Sequence, residues 1–370
     1  MKKVLFATTA LIALGSMAAA DVRLSGYGRF GLDFNQANDS DYNNGNNPNY
    51  NGVSETNITS RLRLQVDMST ETDGGVGFNA RFRAQAESRD GSAGGAVFNG
   101  ARFGVTYGGL IVNVGNIIGA VENAPGLYTT GTRSAGTGID GMDFMSLPIK
   151  GINVDPTSSN FLTPGTTFGW DAYSSTSAGA NGVEALYTVG GFTGHVSFSQ
   201  DNDYGPGVTG EDRLAIMLTY SFGDYYVTGA YQSVDNNPLV YTDVNGRAYD
   251  QEDGMYFLAA GADWGQFGAK LAYGSNDVAD SWTLEGNMDI GAASNLLAWV
   301  NSTDVDGALL DANNESIVGF ANAVGQVDGT AFGINYQYDL GGGSTFVAGY
   351  AQSAADSNNS QFQAGVYFSF

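Results

Sequence analysis

The chain of 370 residues contains no cysteine. Disulfides, thiolate metal sites and cysteine nucleophiles are therefore excluded, and a chain without thiols cannot pair them wrongly while crossing an oxidising compartment. Histidine is nearly absent too: His195 stands alone, so a serine–histidine hydrolase would have one candidate base and no other. Positive charge is scarce, with 15 Lys and Arg against 38 Asp and Glu and a net charge of −23. Such an acidic balance argues against nucleic acid as a partner. After position 20 no stretch approaches the roughly 20 apolar residues of a membrane-spanning helix, which excludes a helical membrane protein.

What the chain does have is glycine, at 54 residues, and tyrosine plus phenylalanine, at 20 and 21. The mixture suits many short strands, tight turns and aromatic belts. The last ten residues alternate, with Phe362, Ala364, Val366, Phe368 and Phe370 on one face and Gln361, Gln363, Gly365, Tyr367 and Ser369 on the other. A period of two with aromatics on one side describes a strand between two different media. An open aromatic edge invites aggregation in a soluble protein, whereas in an outer-membrane β-barrel the last strand pairs with the first and its aromatics sit in lipid. Phe370, Phe368 and Val366 are accordingly expected to form a C-terminal assembly signal, with the outer-membrane barrel assembly machinery as the partner.

The other end agrees. Met1, Lys2 and Lys3 make a positive start, residues 4–14 are apolar, and Ala18, Ala19 and Ala20 close the segment. Residues 1–20 read as a secretory signal peptide cleaved after Ala20, too short to span a bilayer. Removing its two lysines from the net charge of −23 leaves −25 for one barrel domain over 21–370.

Alternation predicts sixteen strands, at 22–34, 57–69, 76–87, 98–107, 110–116, 183–189, 192–200, 213–222, 225–234, 255–262, 267–274, 282–289, 295–302, 330–338, 345–352 and 361–370. Short turns such as Gly108-Gly109, Gly190-Gly191, Gly223-Asp224 and Gly341-Gly342-Gly343 alternate with long polar loops such as 35–56, 235–253 and 303–329. Short turns on one rim and long loops on the other are the asymmetry of a bacterial outer-membrane barrel. Leu214, Ile216, Leu218, Tyr220 and Phe222 are expected to face lipid, with Ala215, Met217, Thr219 and Ser221 facing inward. The fold class is thus all-β, a 16-stranded antiparallel transmembrane barrel.

The chemistry lies in arginine placement. Of the 13 basic residues left after the signal segment (15 less Lys2 and Lys3), eight fall between Arg23 and Arg102. Arg61 and Arg63 alternate with Leu62 and Leu64, Arg81 and Arg83 with Phe82 and Ala84, while Arg29 precedes Phe30 and Arg102 precedes Phe103. Period two sends these guanidinia to the face opposite the apolar residues. An arginine at the lipid face of a barrel midplane costs about 2–4 kcal/mol, so that face is the lumen. The connection over 117–182 is far longer than any other, and a structureless surface loop of that length is improbable. Folding it into the lumen as a constriction loop would set Glu122, Asp140, Asp143 and Asp155 against the arginine wall. The competing expectation is a loop over the mouth, with the arginines paired inside the wall to Asp33, Asp67 and Glu87.

At these residues the chain resembles the Rhodobacter-type general porins of alphaproteobacteria. The resemblance rests on Asp21-Val22-Arg23-Leu24-Ser25-Gly26-Tyr27-Gly28-Arg29-Phe30-Gly31, on Ser60 to Leu64, on Gly77 to Ala84 and on Tyr338 to Gly343. It implies a trimeric, 16-stranded porin whose third loop folds inward, with Arg29, Arg61, Arg63, Arg81 and Arg83 on its basic wall. The implied function is a water-filled pore in the outer membrane for passive diffusion of small hydrophilic solutes and ions. Outer-membrane lipid, lipopolysaccharide and a second and third copy of the chain are the expected partners. No cofactor is required, and a structural Ca2+ between acidic loops such as Asp39–Asp41 or Asp201–Asp203 and anionic headgroups is the one candidate metal.

Rival functions fare worse on the sequence. A barrel hydrolase would depend on His195, which alternates with apolar neighbours and points to the lumen, and His195→Ala is expected to leave channel function intact. A sugar-specific channel would show a ladder of lumen aromatics, and Tyr27 and Tyr367 are too few for one. A plugged structural or adhesive barrel is permitted by the long third loop.

Overall fold

The computed structural model describes residues 21–36, 38, 54–89, 92–128, 170–175, 178–179, 181–200, 212–235, 241–242, 248–249, 254–276, 279–305, 328–354 and 359–370. Sixteen strands among them make one antiparallel sheet. They are β1 (Asp21–Asn35), β2 (Thr56–Glu71), β3 (Gly77–Arg89), β4 (Arg102–Tyr107), β5 (Leu110–Asn116), β6 (Asn181–Val189), β7 (Phe192–Gln200) and β8 (Asp212–Phe222). The second half comprises β9 (Tyr225–Asp235), β10 (Met255–Asp263), β11 (Phe267–Ser275), β12 (Ala279–Ile290), β13 (Ser294–Val305), β14 (Gly329–Gly341), β15 (Ser344–Gln352) and β16 (Ser360–Ser369). Each pairs with the next, and β16 returns to β1 over Gln361↔Asn35 to Ser369↔Tyr27. The sheet is closed, so none of these sixteen strands is left with an open edge.

Exposure follows the pleat. On β8 Leu214, Ile216 and Leu218 are exposed while Arg213, Ala215, Met217 and Thr219 are buried. On β14 Phe332 and Ile334 are exposed while Ala331 and Asn335 are buried. The outer face is therefore the apolar one, the inverse of a water-soluble barrel and the arrangement a lipid surround requires. Consecutive strands turn tightly on one rim. Gly108 and Gly109 both take positive φ, 57° and 87°, in the two-residue link from β4 to β5, a conformation that costs glycine nothing.

One strand departs from expectation. A continuous strand over 98–107 is interrupted: Val97–Phe98 pairs with β3, and β4 begins only at Arg102. The reason is a close approach from elsewhere in the chain. The Asn99 side chain bridges the Arg83 amide nitrogen, at 2.6 Å, and the Ser174 carbonyl. A Cβ on Gly100 would collide with the Ala178 carbonyl. The end of the third loop occupies the ladder's place.

Candidate pore constriction

The third loop leaves β5 and re-enters β6, and both of its described limbs, 117–128 and 170–175, lie inside the barrel. Ala120, Val121, Ala124, Leu127 and Trp170 form one buried cluster with Ala215 and Met217 of β8, Ala230 of β9, Met255, Phe257 and Ala259 of β10 and Ala272 of β11. Those wall residues alternate with the exposed Leu214, Leu218, Leu258 and Leu271, so they point inward and the loop packs on the lumen side. Gly126, at φ 89°, brings the loop so near that a Cβ there would sit 2.6 Å from the Ala259 Cβ. Burial of this cluster supplies the docking energy. A Leu127→Ala substitution, at a fully buried position, is expected to weaken docking by about 2–5 kcal/mol. Limited proteolysis of folded protein checks this, with faster cleavage in the third loop as the expected result.

Polar anchors fix the loop's position. Glu184 on β6 is 1% exposed and accepts the backbone amides of Ile118 at 3.1 Å and Gly119 at 2.8 Å, and the Asn113 side chain at 2.7 Å. His195 on β7 places Nε2 3.2 Å from the same carboxylate, and Arg102 Nη1 stands 3.8 Å away. Ser197 accepts the Ala120 amide at 2.9 Å. Lys270 on β11, ion-paired with Glu285 of β12 at 2.9 Å, donates to the Tyr128 carbonyl at 2.7 Å. On the returning limb, Asp171 pairs with Arg213 of β8 at 3.3 Å. Burial pushes the Asp171 carboxyl above its ordinary range, with the Ser199 hydroxyl and Arg213 pulling the other way.

All six expected wall arginines share the inward face of β1–β4. Register brings Arg29 opposite Arg61, Arg61 opposite Glu87, Arg63 opposite Gln85, Arg83 opposite Gln65, Arg81 opposite Asp67 and Arg102 opposite Arg81. The described limbs of the loop enter the lumen rather than cover the mouth, and of the competing expectation the pairing of arginines inside the wall is present. Arg61 and Arg29 pair with Glu87, the latter at 3.9 Å, and Arg81 pairs with Asp67, all within the wall. Asp33 accepts from Gln363. The loop also reaches the wall: Tyr173 lies under Arg83 at 4.4 Å and Arg102 at 5.0 Å from guanidinium carbon to ring centroid.

Glu122 accepts hydrogen bonds from Tyr128 Oη and Trp170 Nε1, each at 2.7 Å, both within the loop itself. Asp140, Asp143 and Asp155 lie outside the described residues, as do residues 1–20 and the acidic pairs Asp39–Asp41 and Asp201–Asp203. His195 points to the lumen as expected, but it is fully buried and carries an acidic partner, Glu184, that no local spacing revealed. Sequence reading also missed Tyr173, Lys270, Glu285 and Asp171. One signal for the docking wall was present: β10 reads Met-Tyr-Phe-Leu-Ala-Ala-Gly-Ala-Asp, apolar on both faces, as a strand covered on both sides does. The C-terminal residues stand where expected, with Phe370 hydrogen-bonded through its backbone to Gly26 in both directions, at 3.0 and 3.1 Å.

A closed barrel that is apolar outside, charged inside and narrowed by an internal loop defines a transmembrane channel protein. The sequence model of the Gram-negative porins matches residues 7–370, and the chain belongs to that family. The porin of Fuscovulum blasticum is 27% identical over 352 residues, covering 95% of this chain and 100% of that one. The porin of Rhodobacter capsulatus is 27% identical over 368 residues with the same two coverages. In fold the chain is similar to a triple mutant of Rhodopseudomonas blastica porin (TM-score 0.65, 23% identity, 95% and 100% coverage). The protein is an integral outer-membrane porin, and its channel serves passive diffusion of small hydrophilic solutes down their gradients.

Proposed function

We propose that the arginine face of β1–β4, together with the docked third loop, is the constriction that sets which solutes and ions pass. The observation that carries this is the contact between the two: Tyr173 of the loop packs on Arg83 and Arg102 while the outgoing limb is anchored on β6–β11. The loop thus divides the lumen beside a positively charged wall. Charged walls in a narrow aqueous gap orient dipolar solutes and enrich counter-ions. Neutralising Arg61, Arg63, Arg81 and Arg83 together with glutamine is expected to shift the anion-to-cation permeability ratio towards cations by at least about threefold. Reversal potentials across a salt gradient read this directly, and unchanged potentials would reject the assignment.

The finer assignments belong to the same reading. The protein works as a homotrimer in contact with lipid and lipopolysaccharide, with a Ca2+ ion between acidic loops and headgroups as the one candidate metal, and performs no catalysis. Residues 1–20 direct export, and the assembly machinery reads Phe370, Phe368 and Val366. Support comes from the exposed apolar outer face, on which Phe370 is 60% exposed. Single-channel recording tests the trimer, which is expected to conduct in uniform steps grouped in threes.

A further inference from the structure

Four of the six wall arginines have a carboxylate within 4.0 Å: Arg29 and Arg61 share Glu87, Arg81 has Asp67 and Arg102 has Glu184. Among the described residues Arg63 and Arg83 have none at that distance, and neutral groups hold them instead. Arg63 Nε donates to Gln85 Oε1 at 2.7 Å and Arg83 Nε to Gln65 Oε1 at 3.0 Å. These are two adjacent cross-strand pairs of β2 and β3, with the arginine and glutamine exchanged between strands. Each guanidinium also lies on a tyrosine, Arg63 over Tyr27 at 5.0 Å and Arg83 over Tyr173 at 4.4 Å. Tyr173 is itself fixed, its Oη donating to the Arg81 carbonyl at 2.9 Å and its carbonyl accepting from Arg83 Nη1 at 3.2 Å.

A carboxylate partner orients an arginine but cancels its charge at any distance larger than the pair. An amide oxygen or a π face orients it and leaves the full charge in place. We propose that Tyr27, Tyr173, Gln65 and Gln85 are specificity-determining residues of this channel, holding Arg63 and Arg83 as two fixed positive charges on the pore wall that no carboxylate among the described residues pairs with. The proposal rests on the reading that the arginine wall sets selectivity. It adds that the neutrality of the partners matters as much as the arginines do. Among the described residues three carboxylates thus face six guanidinia, Glu87 being shared by two, and the two arginines without a carboxylate stand in the middle of the wall, where their charge reaches the constriction undiminished.

The test compares reversal potentials in a salt gradient for two double variants, Arg63→Gln with Arg83→Gln and Gln65→Glu with Gln85→Glu. Each lowers the formal wall charge by two; the glutamate pair is isosteric and gives up the amide donors that Gln65 and Gln85 offer Asp67 at 2.7 Å and Glu87 at 2.9 Å. Both are expected to lower the anion-to-cation permeability ratio by about twofold or more and by similar factors, while the exclusion size for neutral polymers stays at the parent value. Tyr173→Phe keeps the π face and is expected to keep the parent ratio. Tyr173→Leu removes it and is expected to lower the ratio. Should the glutamine double variant not assemble, Gln65→Glu alone reads the same effect at Arg83. A shift in the arginine variants with no shift in the glutamate variants would overturn this proposal and leave the constriction assignment standing. No shift in either would overturn both.

Discussion

Replacing Glu184 with leucine is expected to free the root of the third loop and turn a steady channel into a noisy, wider one. The carboxylate sits where β6 meets the lumen and holds four neighbouring donors: the amides of Ile118 and Gly119, the Asn113 side chain and His195. Arg102 stands within ion-pair distance. Leucine leaves those donors buried, and stranding part of a buried charge network costs on the order of 3–5 kcal/mol. The loss falls on the loop rather than on the barrel, whose ladder hydrogen bonds do not involve the side chain. Single-channel recordings should show larger conductance with rapid fluctuation, and the third loop should be cut faster by protease. His195→Ala removes one donor and leaves the others in place, so its conductance is expected to match the parent. Conductance and cleavage identical to the parent in Glu184→Leu would mean that the apolar cluster alone holds the loop.

The contrast between these two substitutions shows what the sequence carried and what it did not. Parity is a local property, so the strands, the outward Leu214 to Phe222 series and the inward arginines were legible from spacing two alone. Strand ends were not, because they depend on what arrives from elsewhere. The missing ladder at 99–101 belongs to a contact with Ser174 and Ala178, more than 70 residues on. The same holds for the site. Arg61 meeting Glu87, Arg81 meeting Asp67 and Glu184 meeting His195 are cross-strand relations that need register, and register is a property of pairs. The inward apolar residues Ala215, Met217, Phe257 and Ala259 look like noise in a water-filled lumen until the loop is placed on them. A polar lumen face with an apolar patch is the trace of a docked segment.

Gly31→Val is expected to prevent closure of the barrel altogether. The seam between β1 and β16 is made by nine registered pairs from Tyr27↔Ser369 to Asn35↔Gln361. At Gly31 a Cβ would meet the Ala364 carbonyl and come within 2.8 Å of the Gly365 Cα, so backbone lies against backbone and neither side has a rotamer to move. A β-branched residue there forces the strands apart where the ladder must join, and an unjoined seam leaves backbone groups unpaired in hydrocarbon at several kcal/mol each. The neighbouring glycine provides the control. At Gly28 the obstruction is the Phe368 ring, the far end of a side chain that can turn aside. Gly28→Ala is therefore expected to assemble with a small loss of stability. Heat-modifiable migration on a denaturing gel separates the outcomes: the folded, compact band should vanish for Gly31→Val and persist for Gly28→Ala. A compact band for both would show that the seam yields where the register says it cannot.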